Sequence, residues 1–123
     1  MNFRLLPEVL AVSRMEPGCA VPKWADGGWT SVTRTASELS IVCEAERVPA
    51  GVRSQQPWRA LEIQGPLDFS EIGILAQVSD VLKRASVSIF VLSTYDTDII
   101  LVAETDLETA VKALEGHDHH VLG

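Results

Sequence analysis

Residues 58–122 switch twice between strand-like and helix-like spacing of their apolar side chains, and this limits the folds open to the chain. Apolar and polar residues alternate from Trp58 to Gln64, which predicts a strand that ends at Gly65-Pro66. From Ser70 to Ala85, apolar residues recur at steps of three and four, the spacing of an amphipathic helix. The stretch therefore opens as a strand followed by a helix.

The rest of this half supplies three more strands and a second helix. Residues 87–92 and 98–103 are rich in Val, Ile, Leu and Phe and predict two buried strands joined by a polar turn at 94–97. Helical spacing follows, and residues 117–122 predict a short last strand. The order is βαββαβ, which indicates an α+β fold of the ferredoxin-like type.

Polar residues mark the predicted helix ends. Asp68 or Ser70 can cap the first helix, and Glu71 favours its first turn. Thr105-x-x-Glu108 has the pattern of a capping box for the second helix, and Gly116 is a plausible stop.

The first half carries a worn repeat of the second. Residues 34–44 align without gaps on residues 94–104 at an offset of 60, which places Glu44 on Glu104. Residues 22–29 contain too much Pro and Gly for a long helix. We therefore predict two tandem units: a degenerate unit at 1–57 that lacks most of its first helix, and a complete unit at 58–123.

Charge is distributed unevenly along the chain. Residues 1–60 carry seven basic and six acidic side chains, whereas residues 61–123 carry three and eleven. An acidic surface repels phosphate backbones, so we expect no nucleic-acid partner. The acidic half is either a solvated face or the location of a site that prefers cationic or zwitterionic ligands.

The sequence gives no sign of membrane insertion, metal binding or catalysis. It has no apolar run of transmembrane length and no signal-like N-terminus, so we expect a cytoplasmic protein without a membrane partner. Cys19 and Cys43 are expected to be free, buried thiols. The histidines at 117, 119 and 120 lack a further Cys or His nearby, and a polar edge strand explains them better than a metal site. We find no catalytic signature and expect no enzyme activity and no cofactor.

A ligand can be inferred from the polar residues around the first helix. A helix N-terminus favours a carboxylate, and the aspartates at 96 and 98 favour an ammonium group, so one zwitterion could satisfy both. The alternative for Asp98 is a hairpin residue that bonds the turn backbone, and Asp96 is best explained as such a turn residue. For Asp68 and Glu71 the alternative is helix capping.

Two segments then resemble a known family. Gly65 to Ala76 (GPLDFSEIGILA) and Ile89 to Val102 (IFVLSTYDTDIILV) resemble the ACT domain, in particular the branch that includes cytosolic arginine sensors and small bacterial tandem-ACT proteins. The resemblance implies a free amino acid bound at an interface between units, with its carboxylate on backbone N–H groups at the start of the first helix. By this resemblance, those groups belong to Glu71, Ile72, Gly73 and Ile74.

The same resemblance assigns the Ser-Thr-aromatic-x-x-Asp element to Thr94, Tyr95 and Asp98. Gly73 would allow a ligand close to the backbone, or else allow tight packing of the helix on a strand. The full set of predicted ligand-binding residues is Asp68, Glu71, Ile72, Gly73, Ile74, Thr94, Tyr95 and Asp98.

The sequence thus predicts a non-catalytic regulatory or sensor module that binds a small molecule, with free amino acids, basic ones first, as the ligand. The alternative is a ligand-free scaffold used for protein–protein interaction or dimerisation. We also expect a homodimer, with the strand holding Val87, Ile89 and Val91 at a sheet edge that a second copy can cover.

Overall fold

The computed structural model describes residues 1–64 and 73–123. The strands in these ranges are β1 (Asn2–Met15), β2 (Thr30–Arg34), β3 (Leu39–Glu44), β4 (Arg53–Ile63), β5 (Ile89–Ser93), β6 (Asp98–Ala103) and β7 (His120–Leu122). The helices are α1 (Ile74–Arg84) and α2 (Leu107–Glu115), and short 3₁₀ turns occur at Lys23–Ala25, Ala45–Arg47 and Glu104–Asp106.

The described chain divides into two compact units. The larger unit contains Met1–Pro7 and Arg59–Gly123, and the smaller unit contains Glu8–Trp58. The unit that the sequence pattern begins at residue 58 therefore also takes in the first residues of the chain, Met1–Pro7. Whether the smaller unit is a degenerate copy of the larger one stays a prediction.

The larger unit has the predicted βαββαβ order. Its elements follow as β4, α1, β5, β6, α2 and β7. β5 and β6 pair antiparallel with Ser93 opposite Asp98, which leaves a four-residue turn, Thr94 to Thr97, between them. The predicted turn and the predicted bounds of β6 are confirmed.

One strand of the larger unit was not expected from the sequence. The strand order is β7-β1-β4-β6-β5, so the start of β1 lies between the last strand and β4. β7 pairs in parallel with β1, with Asn2 opposite His120 and Arg4 opposite Leu122. Phe3, on this added segment, is fully buried in the core.

The core of the larger unit lies between its sheet and its two helices. Its buried side chains are Phe3, Leu61, Ile63, Val78, Val81, Leu82, Val87, Ile100, Val102, Ala110 and Leu114. Val87 belongs to this core and precedes β5, which begins at Ile89, so the predicted strand begins two residues too early.

The helix ends differ from the predicted caps. α2 begins later than the Thr105 box requires, with Asp106 at the N-cap position and no side-chain capping hydrogen bond. The reason is local: residues 104–106 form a 3₁₀ turn before the helix, so Thr105 lies inside that turn. Gly116 stands at the C-cap of α2, as predicted. Asp68, Ser70 and Glu71, the predicted caps of α1, lie outside the described residues.

The smaller unit forms its sheet from β2, β3 and the adjoining part of β1. β1 and β3 pair antiparallel, with Ala11 opposite Cys43 and Met15 opposite Leu39. Between β1 and β2 the chain forms a 3₁₀ turn at Lys23–Ala25, where the sequence excludes a long helix. Ala25 from this turn packs with Leu39, Ile41 and Cys43 in a small core.

The β2–β3 and β5–β6 hairpins correspond at a shift of 59, one residue less than the offset of 60 found in the sequence. At 59, the strand bounds coincide: 30–34 with 89–93 and 39–44 with 98–103. The core residues Ile41 and Cys43 then fall on Ile100 and Val102, which also face their own core. A slip of one residue exchanges the two faces of a strand, so the gapless sequence match pairs the wrong faces.

Candidate functional site

The described part of the candidate site is the turn between β5 and β6. The backbone N–H and the hydroxyl of Thr94 both donate to the carbonyl of Thr97, at 2.8 and 3.1 Å. The N–H of Thr97 donates back to Oγ1 of Thr94 at 3.2 Å. These bonds close the turn without any contribution from Asp96, the residue predicted to stabilise it.

The turn is also attached to the end of β4. The hydroxyl of Thr97 donates a 2.7 Å hydrogen bond to the carbonyl of Ile63. The Ile63 side chain is buried in the core, so the position of its carbonyl group is well defined. The turn is therefore held at a defined place next to the end of β4.

Asp98 lies at the base of the turn, half-buried at the start of β6. Its Oδ1 accepts a 2.6 Å hydrogen bond from the hydroxyl of Ser93, its partner across the hairpin. The carboxylate therefore bonds a side chain of the opposite strand, whereas the hairpin alternative has it bonding the turn backbone. Such a bond orients the carboxylate without neutralising its charge.

Tyr95 and Gly73 belong to the two segments predicted to contact the ligand, the β5–β6 turn and the start of α1. Tyr95 is 82% exposed at the tip of the turn. Gly73 is the N-cap of α1 with φ 83° and ψ 1°, a left-handed conformation that favours glycine. Among the described atoms, none lies within 4 Å of a Cβ built on Gly73. The backbone angles favour glycine here, and among the described atoms no neighbour supports the tight-packing explanation.

Ile74 opens α1 and packs against the core of the larger unit, so its side chain has a structural role. Asp68, Glu71 and Ile72 lie outside the described residues. The structure thus brings Thr94, Tyr95 and Asp98 together on one turn and places Gly73 and Ile74 at the start of α1. Sequence reasoning missed Ser93 and Thr97. Ser93 could have been found from the four-residue turn, which sets it opposite Asp98.

His119, one of the three histidines near the C-terminus, contacts the first residues of the chain. Nδ1 of His119 lies 3.0 Å from the amino nitrogen of Met1, and its ring meets Phe3 edge-on at 5.7 Å. Burial, followed by the positive charge of that amino group, lowers the pKa of His119. In residues 1–64 and 73–123, no three metal-binding side chains are grouped to hold an ion.

Both cysteines are free thiols, as expected. Cys43 is fully buried, and burial raises the pKa of its thiol. Cys19 is half-buried against the same small core. Neither lies in the larger unit that carries the turn.

A groove of about 600 Å³ lies on another side of the larger unit, between α1 and the start of β5. Its lining residues are Ala76, Ser79, Asp80, Lys83, Ser86, Val87, Ser88 and Ile89. None of the described members of the predicted ligand-binding set (Gly73, Ile74, Thr94, Tyr95 and Asp98) lines it.

Comparison with known proteins identifies the family of this fold. A family model described as the ACT domain matches residues 53–116, more than half of the chain. The chain belongs to the ACT-domain family. A second family model, which describes an N-terminal domain, matches residues 8–51. The ferredoxin-like α+β fold predicted from the sequence is thereby confirmed.

Curated relatives point to one branch of the ACT family. The human cytosolic arginine sensor for mTORC1 subunit 1 is 34% identical over 85 residues, which cover 63% of this chain and 26% of the relative. The rat protein of the same name is 34% identical over 112 residues, which cover 78% of this chain and 34% of the relative. The chain thus spans about a quarter to a third of these relatives.

Solved structures share the fold over nearly the whole chain. A protein from Agobacterium tumefaciens matches with a TM-score of 0.92 and 39% identity, covering 98% of this chain and 91% of that one. A Vibrio cholerae protein of unknown function, described as a possible transport protein, gives a TM-score of 0.79 at 21% identity, covering 94% and 88%. Aspartokinase alpha and beta subunits give 0.65 at 13% identity, covering 94% and 96%. The last two show the fold alone.

Proposed function

We propose that the chain is a non-catalytic regulatory module of the ACT type that binds a free amino acid. ACT-family membership and the similarity to an arginine sensor support a regulatory, ligand-binding role. The observation that carries the proposal is the braced β5–β6 hairpin, whose internal bonds fix Thr94 in the turn and the carboxylate of Asp98 at its base, with Tyr95 at its tip. A pre-ordered turn loses little conformational entropy on binding a small ligand.

Charge favours basic amino acids as the first candidates. A carboxylate such as that of Asp98 pairs with an ammonium or guanidinium group, and residues 61–123 carry eleven acidic side chains against three basic ones. The curated relatives are named as arginine sensors, which agrees with this choice. We propose that the ligand carboxylate is bound by the N–H groups at the start of α1, where no described atom lies within 4 Å of a Cβ built on Gly73.

We also propose a cytoplasmic location and self-association as a homodimer. The relatives are named cytosolic. Among the described residues, no helix is long and apolar enough to cross a membrane. Of the described strands in the larger unit, β5 is the last in the sheet order, the kind of position at which two copies of a chain can pair. Light scattering between about 1 and 100 μM should give twice the chain mass, and a monomer mass throughout would refute the dimer.

Thermal unfolding against each of the twenty amino acids tests ligand binding. A ligand that binds only the native state at a hundredfold excess over Kd stabilises it by about 2.7 kcal/mol. For a chain of this size, that corresponds to a rise in Tm of roughly 10 °C. A flat response to all twenty would reject the proposed function and favour the ligand-free scaffold.

A further inference from the structure

The last described peptide group of β4 is fixed on both sides. Its carbonyl, that of Ile63, accepts the 2.7 Å hydrogen bond from the hydroxyl of Thr97. Its N–H, that of Gln64, donates a 2.8 Å hydrogen bond to the carbonyl of Asn2 on β1. Because the two bonds share one peptide group, each polarises the other.

Thr97 links this fixed peptide to the turn with every polar group it has. Its hydroxyl donates to Ile63, its N–H donates to Oγ1 of Thr94, and its carbonyl accepts from the N–H and hydroxyl of Thr94. The backbone pairing of β5 with β6 fixes the two strands on either side of the turn, but not residues 94–97 themselves. The hydroxyl of Thr97 ties the turn itself to β4.

The equivalent turn of the smaller unit shows what the hydroxyl adds. Thr35 makes the same bonds with Glu38 that Thr94 makes with Thr97: its N–H and hydroxyl lie 2.9 and 3.4 Å from the carbonyl of Glu38, and the N–H of Glu38 lies 3.1 Å from its Oγ1. Glu38, at the position of Thr97, has no hydroxyl to donate to a neighbouring strand. Closing the turn therefore does not require a threonine hydroxyl at this position, whereas the additional bond from the turn to β4 does.

We propose that Thr97 is the positioning residue of the amino-acid site: it does not contact the ligand and instead holds the turn that carries Thr94 and Asp98 against β4. This inference rests on the proposed function. Without the hydroxyl, the turn keeps its internal bonds and its flanking strands stay in the sheet, but the turn loses its own bond to β4. Ligand binding must then also order the turn, which weakens affinity without removing any direct contact.

Three variants separate positioning from simple loss of a hydrogen bond. Thr97→Val keeps the branched shape and removes the hydroxyl, and Thr97→Ser keeps the hydroxyl. Ser79→Ala is the matched control, since the Ser79 hydroxyl also makes a 2.7 Å, partly buried bond to a backbone carbonyl, that of Leu75 in α1. All three are compared with the wild type by calorimetric titration with L-arginine, L-lysine and the amino acid that raises Tm most.

We expect Thr97→Val to weaken binding roughly three- to tenfold, the equivalent of one neutral hydrogen bond. Thr97→Ser should restore affinity to near the wild-type value, and Ser79→Ala should leave it unchanged. Amide hydrogen exchange followed by NMR gives a readout that needs no ligand. The Gln64 amide should exchange faster in Thr97→Val than in the wild type, and not in Thr97→Ser or Ser79→Ala.

The outcomes distinguish the inference from the function it rests on. If the wild type binds no amino acid, the proposed function fails, while Gln64 exchange still decides whether Thr97 holds the turn on β4. Wild-type affinity in Thr97→Val overturns the positioning role, whatever the exchange data show. Equal loss in Thr97→Val and Ser79→Ala would also overturn it, because the effect would then be general destabilisation.

Discussion

The carboxylate of Glu44 lies against the backbone of Gly28, and a Cβ built on Gly28 would be 2.9 Å from its Oε1. The same carboxylate is held in place by Arg47, whose Nε donates to Oε2 at 2.8 Å. Nη1 of Arg47 reaches the carbonyl of Asp26 at 3.3 Å. The glycine-containing loop thus closes around an ion pair in the region where the sequence excluded a long helix.

This relationship predicts that Gly28→Ala destabilises the protein by about 2 kcal/mol. Part of the loss comes from the left-handed backbone at φ 62°, and part from displacing the Glu44 carboxylate. Gly51→Ala is the matched control, since its φ is 91° and no described atom lies within 4 Å of its Cβ position. Urea unfolding should show that Gly51→Ala lowers the free energy of unfolding by about 1 kcal/mol. An equal decrease in Gly28→Ala and Gly51→Ala would refute the steric contribution of Glu44.

Ser86 is a second position where backbone conformation predicts a measurable effect. It has φ 61° at the end of α1, where its N–H donates to the carbonyl of Lys83 at 2.9 Å. Glycine relieves the strain of the left-handed backbone but raises the conformational entropy of the unfolded chain, which offsets part of the gain. Ser86→Gly should therefore raise the free energy of unfolding by about 0.5 kcal/mol. Asp118→Gly, at φ 65°, should gain less because Asp tolerates this conformation better. Urea unfolding measures both, and a loss of stability in Ser86→Gly would contradict the strain.

The histidine beside the amino group of Met1 predicts a pH effect. The folded-state pKa of His119 is lowered below the ordinary value of 6.5, first by burial. As the pH falls through 6.5, His119 takes up a proton in the unfolded chain before it does so in the folded protein. The folded state is therefore at its full stability relative to the unfolded chain above pH 6.5, and it loses stability as the pH falls from 6.5 toward the lower folded-state pKa. Between about pH 7.5 and 5.5, the unfolding free energy should fall more in the wild type than in His119→Gln. An equal fall in the wild type and in His119→Gln would contradict this effect of burial.

Much of the larger unit follows from the sequence because its periodicity is strong. β6 was predicted at its observed bounds, since a run of four buried apolar residues starts directly after a polar turn. The start of β1 between β7 and β4 was not predicted, because strand neighbours depend on long-range pairing that no local pattern reports. The sequence match gave an offset of 60 where the bounds of the two hairpins coincide at 59, since short apolar strands match almost as well with their faces exchanged.

The candidate site was predictable in part for a similar reason. Thr94, Tyr95 and Asp98 stand in one short motif, so local sequence was enough to place them together. The role of Thr97 depends on a bond to Ile63, 34 residues away in the chain, which the motif does not contain. Ser93 required the hairpin register in addition to the residue type.

The charge of Asp98 is central to the proposed binding, and calorimetric titration of Asp98→Asn tests it directly. Asparagine keeps an oxygen that can accept the hydrogen bond of Ser93, so the hairpin should stay intact while the negative charge is lost. Loss of a charge-assisted hydrogen bond costs on the order of 1.5–3 kcal/mol. Asp98→Asn should therefore bind the amino acid about ten- to a hundredfold more weakly. Asp96→Asn, in the exposed part of the same turn, is the control and should bind like the wild type. Wild-type affinity in Asp98→Asn would show that this carboxylate only braces the hairpin, and the site assignment would be wrong.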